Sequence, residues 1–154
     1  MEQRGLNMLN FTISELIKSN TAIKYNINNM PDINSLDNIL KLIVYCLQPI
    51  RNKLGKPIIV TNGYESFALW EKLDELGYNP SKTSQHLKGQ AADLIVNGMT
   101  QEQLFNFIRK SGVTYDQLIW EQDSNCVHVS YSDKNRKETL IRNKQGLYTK
   151  IMVE

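Results

Sequence analysis

The sequence predicts an α+β fold, with helices packed on one side of a small, mostly antiparallel sheet. Three observations carry this reading. Segments with helical spacing of apolar residues dominate the first half of the chain. Strand-like segments cluster late, and short polar turns join them in pairs, which makes neighbouring strands antiparallel. Taken in order, Thr12-Ile-Ser-Glu15 has the form of a capping box and opens a short helix running through Ser19. An Asn-rich irregular stretch follows over residues 25–31. Ser35 is placed to cap a long helix over residues 36–54, in which Ile39, Leu40, Ile43, Val44, Leu47 and Ile50 recur at helical spacing and Gly55 marks the end. Residues 57–61 read as a buried strand, and Asn62-Gly63 as a turn.

Residues 66–76 form the next helix, stopped by Gly77, and 79–89 a polar loop. A short strand covers 92–96. Thr100 opens a helix to Lys110 that Gly112 closes. Residues 115–121 and 126–131 read as strands joined across Gln122-Asp-Ser-Asn125. Residues 138–142 and 147–152 form a final hairpin across Asn143-Lys-Gln-Gly146. No repeat or linker interrupts the pattern, so residues 1–154 read as one domain.

Composition narrows the function classes. The 154 residues are 41% hydrophobic and 22% charged, as in a globular protein able to bury a core. Lys and Arg number 18 against 16 Asp and Glu, so the net charge of +2 offers no nucleic-acid footprint. The basic cluster at residues 134–137 reads as a solvated turn. No stretch reaches the roughly 18 apolar residues of a membrane span. Residues 1–10 lack an apolar core, so no signal peptide is expected. Cys46 reads as a buried thiol on the long helix, and a disulfide to Cys126 is not expected in a reducing cytosol.

The chain has only two histidines. His86 lies in the loop Ser84-Gln-His-Leu-Lys-Gly-Gln-Ala-Ala-Asp93, and His128 in the strand Val127-His-Val-Ser-Tyr131. Two imidazoles and a carboxylate are good zinc donors, and three protein ligands leave a fourth position for water. His86, Asp93 and His128 are therefore the candidate zinc ligands, weighed against two ordinary histidines in a fold. If Asp123-Ser124 is a two-residue hairpin turn, Gln122 pairs with Asn125, Glu121 with Cys126 and Ile119 with His128. Glu121 then shares a face with His128 and lies diagonal to it, roughly 7–8 Å away. That places Glu121 as a general base, with a solvated strand end as its plain alternative and Asp123, at the turn tip, as its rival.

At these residues a resemblance becomes specific. Ser84-x-His86-x-x-Gly89-x-Ala91-x-Asp93 is similar to the signature of the LAS-type zinc peptidases, the D-Ala-D-Ala carboxypeptidases and L-alanyl-D-glutamate endopeptidases that cut peptidoglycan stem peptides. Val127-His128-Val-Ser resembles the second histidine motif of that family. Asp116-Gln-Leu-Ile-x-Glu121, Phe11-Thr-x-x-Glu15-Leu and the run from Pro49 to Tyr64 resemble its small phage-type and bacterial members. The resemblance implies a Hedgehog-like zinc peptidase fold and a Zn2+ site of His86, Asp93 and His128, with Glu121 as catalytic base. Ser84 and Gln85 bind substrate or, for Ser84 equally, only shape the loop. Tyr64 and Glu65 belong to the substrate side. The implied partner is a peptidoglycan peptide, with no nucleic acid, no membrane and a monomeric enzyme. The implied location is the host cytoplasm and then the cell wall, or a virion, if the chain is phage-encoded.

Two departures stand out. The family's Gly-Tyr-Arg-Ser run, whose Arg faces a substrate carboxylate, is here Gly63-Tyr64-Glu65-Ser66, followed by Phe67, Ala68 and Leu69 in place of the family's Pro and Asn. A Glu repels a carboxylate, so either an amine or amide sits there or another cation, Lys82 or Lys88, substitutes. Asn125 and Cys126 occupy the places where many relatives carry the base. The alternative function is a virion structural or wall-binding module that keeps the zinc fold with little catalysis.

Overall fold

The computed structural model describes residues 8–152, so most of the N-terminal stretch examined for a leader lies outside the described residues. Thr12 caps α1 (Ile13–Ile17), its hydroxyl accepting from the Glu15 amide at 3.2 Å. This helix is shorter than expected. Ser19 does not finish it but caps a second one, α2 (Asn20–Lys24), whose five residues are too few to show a period in the sequence.

The long helix begins earlier than expected. Asp32, not Ser35, is its cap, with Asp32 Oδ1 accepting from the Ser35 amide at 2.7 Å. It runs as α3 (Ile33–Leu42), a π-helical turn (Ile43–Leu47) and α4 (Gln48–Leu54). Pro49 stands at the first turn of α4, and a wider π turn directly before it accommodates a residue with no N–H to give. Part of the expected apolar stripe is displaced. Leu42 and Cys46 join Ile39, Ile43, Leu47 and Ile50 in the core, whereas Leu40 and Val44 each stay 43% exposed. Cys46 and Cys126 are both free thiols, and burial pushes Cys46 up to about 12.

The sheet has six strands in the order β1-β2-β4-β3-β5-β6: β1 (Ile59–Asn62), β2 (Ala91–Ile95), β3 (Gln117–Glu121), β4 (Cys126–Ser130), β5 (Glu138–Arg142) and β6 (Tyr148–Lys150). β1 is a half-exposed edge strand rather than the buried strand its apolar run suggested, with Ile59 40% exposed. All neighbours pair antiparallel except β3 and β5, which are parallel. Alternation divides the sheet cleanly. Ala92, Leu94, Leu118, Val127 and Val129 face a core shared with α3, the π turn, α4 and α6 (Gln101–Lys110). Asp93, His128, Ile119, Glu121 and Leu140 face the other way, into a cleft. α5 (Phe67–Glu75), capped by Ser66, packs beside α2 at the side of the sheet. Among the described residues no helix is long and apolar enough to cross a membrane.

Candidate metal centre

Two glycines bring the first histidine into place. Gly89 has φ +73° and ends the 3-10 turn Gln85–Lys88. A Cβ there would lie 2.6 Å from the Ser35 carbonyl oxygen and 2.9 Å from Ile39 Cγ1, so only glycine lets this turn sit down on α3. Gly63 approaches Leu16 so closely that any side chain would run into the Leu16 carbonyl. Its own carbonyl oxygen accepts from His86 Nδ1 at 2.7 Å, which leaves Nε2 free to point into the cleft. Ser84 Oγ accepts from the His86 amide at 3.2 Å and so caps the turn that carries the ligand.

The other two donors come from adjacent strands, where Asp93 pairs with His128. Asp93 Oδ1 lies 3.3 Å from His86 Nε2 and 3.2 Å from His128 Nδ1. Zinc bonds of about 2.0–2.1 Å in a tetrahedron put neighbouring donors about 3.3 Å apart, so the set has the span a zinc ion requires. The three donor atoms all lie within 4.8 Å of one another, and both rings are buried. The donors thus fit a borderline-soft divalent ion with one position open to the cleft.

The register read from the sequence is found: Ile119 faces His128 and Glu121 faces Cys126. The turn itself is longer than the expected two residues. Asn125 takes a left-handed φ of 56° with its amide donating to the Glu121 carbonyl, and Gln122 donates to the Arg142 carbonyl instead of pairing with Asn125. A Glu121 carboxylate oxygen comes within 4.8 Å of an Asp93 carboxylate oxygen and of Cys126 Sγ. Ser124 Oγ donates to Glu121 Oε2 at 2.8 Å and the Cys126 thiol at 3.4 Å, which aims the carboxylate. Cys126 stands where relatives carry a base, but burial and the charges of Asp93 and Glu121 push its thiol far above the usual range, so it remains a proton donor. Asp123 pairs with Arg142 at 3.5 Å and does not line the cleft.

The remaining expected residues separate. Glu65 lines the cleft, is only 6% exposed, and accepts from Asn62 Nδ2 at 2.9 Å; the same amide reaches Asp93 Oδ2 at 3.5 Å. Gln85 donates through Nε2 to Asp116 Oδ2, while its Oε1 is buried in the cleft wall with no partner among the described residues. Tyr64 is not at the cleft. It is buried in the core cluster, because the backbone that turns Glu65 toward the cleft turns its neighbour inward. Of the two candidate lysines, Lys88 lines the cleft and Lys82 does not. Sequence reasoning missed Asp116, Arg136 and Arg142. Asp116 is gripped by Arg136 through Nε at 3.0 Å and Nη2 at 2.9 Å; burial alone would raise its pKa, but Arg136 holds it well below the usual carboxylate range. The cleft encloses about 1000 Å³, ample for several residues of extended peptide.

Burial alone would lower the pKa of His86, but the Asp93 carboxylate outweighs it and raises it to about 9 in the metal-free protein. Burial would likewise raise Asp93, yet the two imidazoles hold it far below its usual value. A metal needs neutral imidazole, so a proton on His86 competes with it below pH 9. Apparent zinc affinity of stripped protein is therefore expected to rise roughly tenfold or more per pH unit between pH 7 and 9, with at least about one proton released per zinc at pH 7. Calorimetry in buffers of different ionisation enthalpy reads this directly, and an affinity flat over that range would refute it.

The sequence matches the model of the family described as Peptidase M15 over residues 9–130. Among solved structures, the crystal structure of the L-Ala D-Glu endopeptidase ChiX of Serratia marcescens is similar at a TM-score of 0.47 and 17% identity, covering 68% of this chain and 91% of that one. No curated protein matches the chain.

Proposed function

Because the chain belongs to the peptidase M15 family, we propose that it is a zinc-dependent peptidase hydrolysing peptide bonds in peptidoglycan stem peptides or cross-bridges. The observation that carries this reading is the convergence of His86 Nε2, His128 Nδ1 and Asp93 Oδ1 at 3.2–3.3 Å, with the Glu121 carboxylate within 4.8 Å of Asp93. Peptidoglycan as substrate rests on the similarity of the Ser84–Asp93 signature to wall-lytic enzymes.

The three donors would hold the ion. When bound, zinc supplies a Lewis acid and lowers the pKa of a coordinated water towards ~7. Glu121 would accept the proton of the attacking water and pass it to the leaving amine. Its Oε2 is already held by Ser124 and Cys126, so Oε1 is the oxygen free to do so. Gln85 Oε1, buried and without a partner among the described residues, accepts an N–H of the substrate backbone. Glu65 keeps carboxylates away from the His86 side of the centre. Ser84 acts through the loop by accepting from the His86 amide, and its own O–H remains able to donate into the cleft it lines.

Digestion of several purified peptidoglycan types, with mass spectrometry of the soluble fragments, tests the reading. The expected result is one kind of new terminus, absent when EDTA is present and restored by zinc. A chain that binds zinc yet releases nothing from any type would instead be a structural or wall-binding relative that has lost catalysis.

A further inference from the structure

The parallel pairing of β3 with β5 puts Arg142 directly beside Glu121, and their backbones are tied by the Gln122 amide donating to the Arg142 carbonyl at 2.9 Å. Alternation turns the Arg142 side chain to the cleft face, where it lines the same cavity as the metal centre. The cleft holds two arginines in opposite circumstances. Arg136 is forked onto Asp116, with its backbone amide donating to the same carboxylate. Arg142 is not. Its Nη2 meets Asp123 Oδ2 only at 3.5 Å, and its Nε is buried with no hydrogen-bond partner among the described residues. Its guanidinium lies over the Tyr148 ring, 5.7 Å from the centroid, a contact that uses none of its donors. A buried guanidinium N–H without an acceptor is costly, and a planar fork with spare donors matches a carboxylate.

Building on the peptidase reading above, we propose that Arg142 grips a carboxylate of the peptide substrate three to four residues away from the scissile bond, so that the enzyme is an endopeptidase for anionic peptides rather than a carboxypeptidase. Arg142 stands two strands across and two residues along from His128, about 12 Å away. Extended peptide covers about 3.3–3.6 Å per residue, so the anion lies about three to four residues from the bond held at the centre. A carboxypeptidase needs its cation one residue away. On the His86 side, where relatives carry an Arg, this chain has the buried carboxylate of Glu65, which repels a terminal carboxylate. The anion is a side-chain carboxylate of a peptide that continues on both sides of the cleaved bond.

The test compares two synthetic peptides that differ only in a carboxylate or its carboxamide at the third or fourth residue from the cleaved bond. It uses zinc-loaded wild type, Arg142→Gln and Arg142→Lys, with zinc content and thermal midpoint measured for each. Wild type should favour the carboxylate peptide at least tenfold in kcat/KM, mostly through KM. Arg142→Gln should bring that ratio close to one, and Arg142→Lys should restore part of it. A ratio near one in wild type, or an equal fall on both peptides in Arg142→Gln, overturns the assignment while leaving the peptidase reading intact. If zinc-loaded wild type cleaves neither these peptides nor peptidoglycan, the peptidase reading falls and the assignment falls with it.

Discussion

Replacing Glu121 by Gln is expected to lower kcat on peptidoglycan by about 10²- to 10⁴-fold, the usual contribution of a positioned general base. Gln keeps the size of the side chain and can still accept from Ser124 and Cys126, which hold Glu121 Oε2 in place. It cannot take a proton. KM and zinc content should therefore stay near those of the wild type. The rival base offers the control. Asp123 faces Arg142 at the hairpin tip and is not part of the cleft wall, so Asp123→Asn should turn over at close to the wild-type rate. Full activity in Glu121→Gln would remove Glu121 from the chemistry.

His128→Ala should cost more, because it removes a donor rather than a proton acceptor. Loss of an outer partner of a metal ligand weakens binding by about 10- to 100-fold, and loss of a ligand itself should exceed that. Activity should disappear with the metal. Stability should follow: zinc at about 1,000 times its dissociation constant stabilises a folded chain by roughly 4 kcal/mol, and the variant forfeits that gain. Zinc should thus raise the thermal midpoint of the wild type but not of His128→Ala. The same midpoint shift in both proteins would mean that zinc binds elsewhere.

The proximity of His86, Asp93, His128 and Glu121 was legible in the sequence because most of them sit on elements with simple local rules. The strand pair around His128 has a period of two and a short connection, which is enough to place Glu121 against Cys126 and Ile119 against His128. The place of His86 was legible only through its spacing from Gly89 and Asp93. The reason for that spacing, a glycine pressed onto the Ser35 carbonyl, is a long-range contact that no local pattern reveals. The helix boundaries slipped where tertiary context decided: the π turn changed which residues of the long helix face the core, and Ile59 proved to be on an edge. The far wall of the cleft was not legible at all. The final hairpin was recognised, but the parallel union of β5 with β3 is a pairing between non-consecutive strands, and it alone carries Arg142 to Glu121. Tyr64 was misplaced for a related reason, since family position says nothing about which of two adjacent residues turns inward.

The central claim is that one zinc, held by His86, Asp93 and His128, runs the hydrolysis. Titrating metal-stripped protein with zinc while following the release of peptide termini from purified peptidoglycan tests it most directly. Activity should climb linearly from a negligible baseline and level off at about one equivalent of zinc per chain. Hydrolysis that persists in the stripped protein, or its absence once one equivalent is bound, would contradict it.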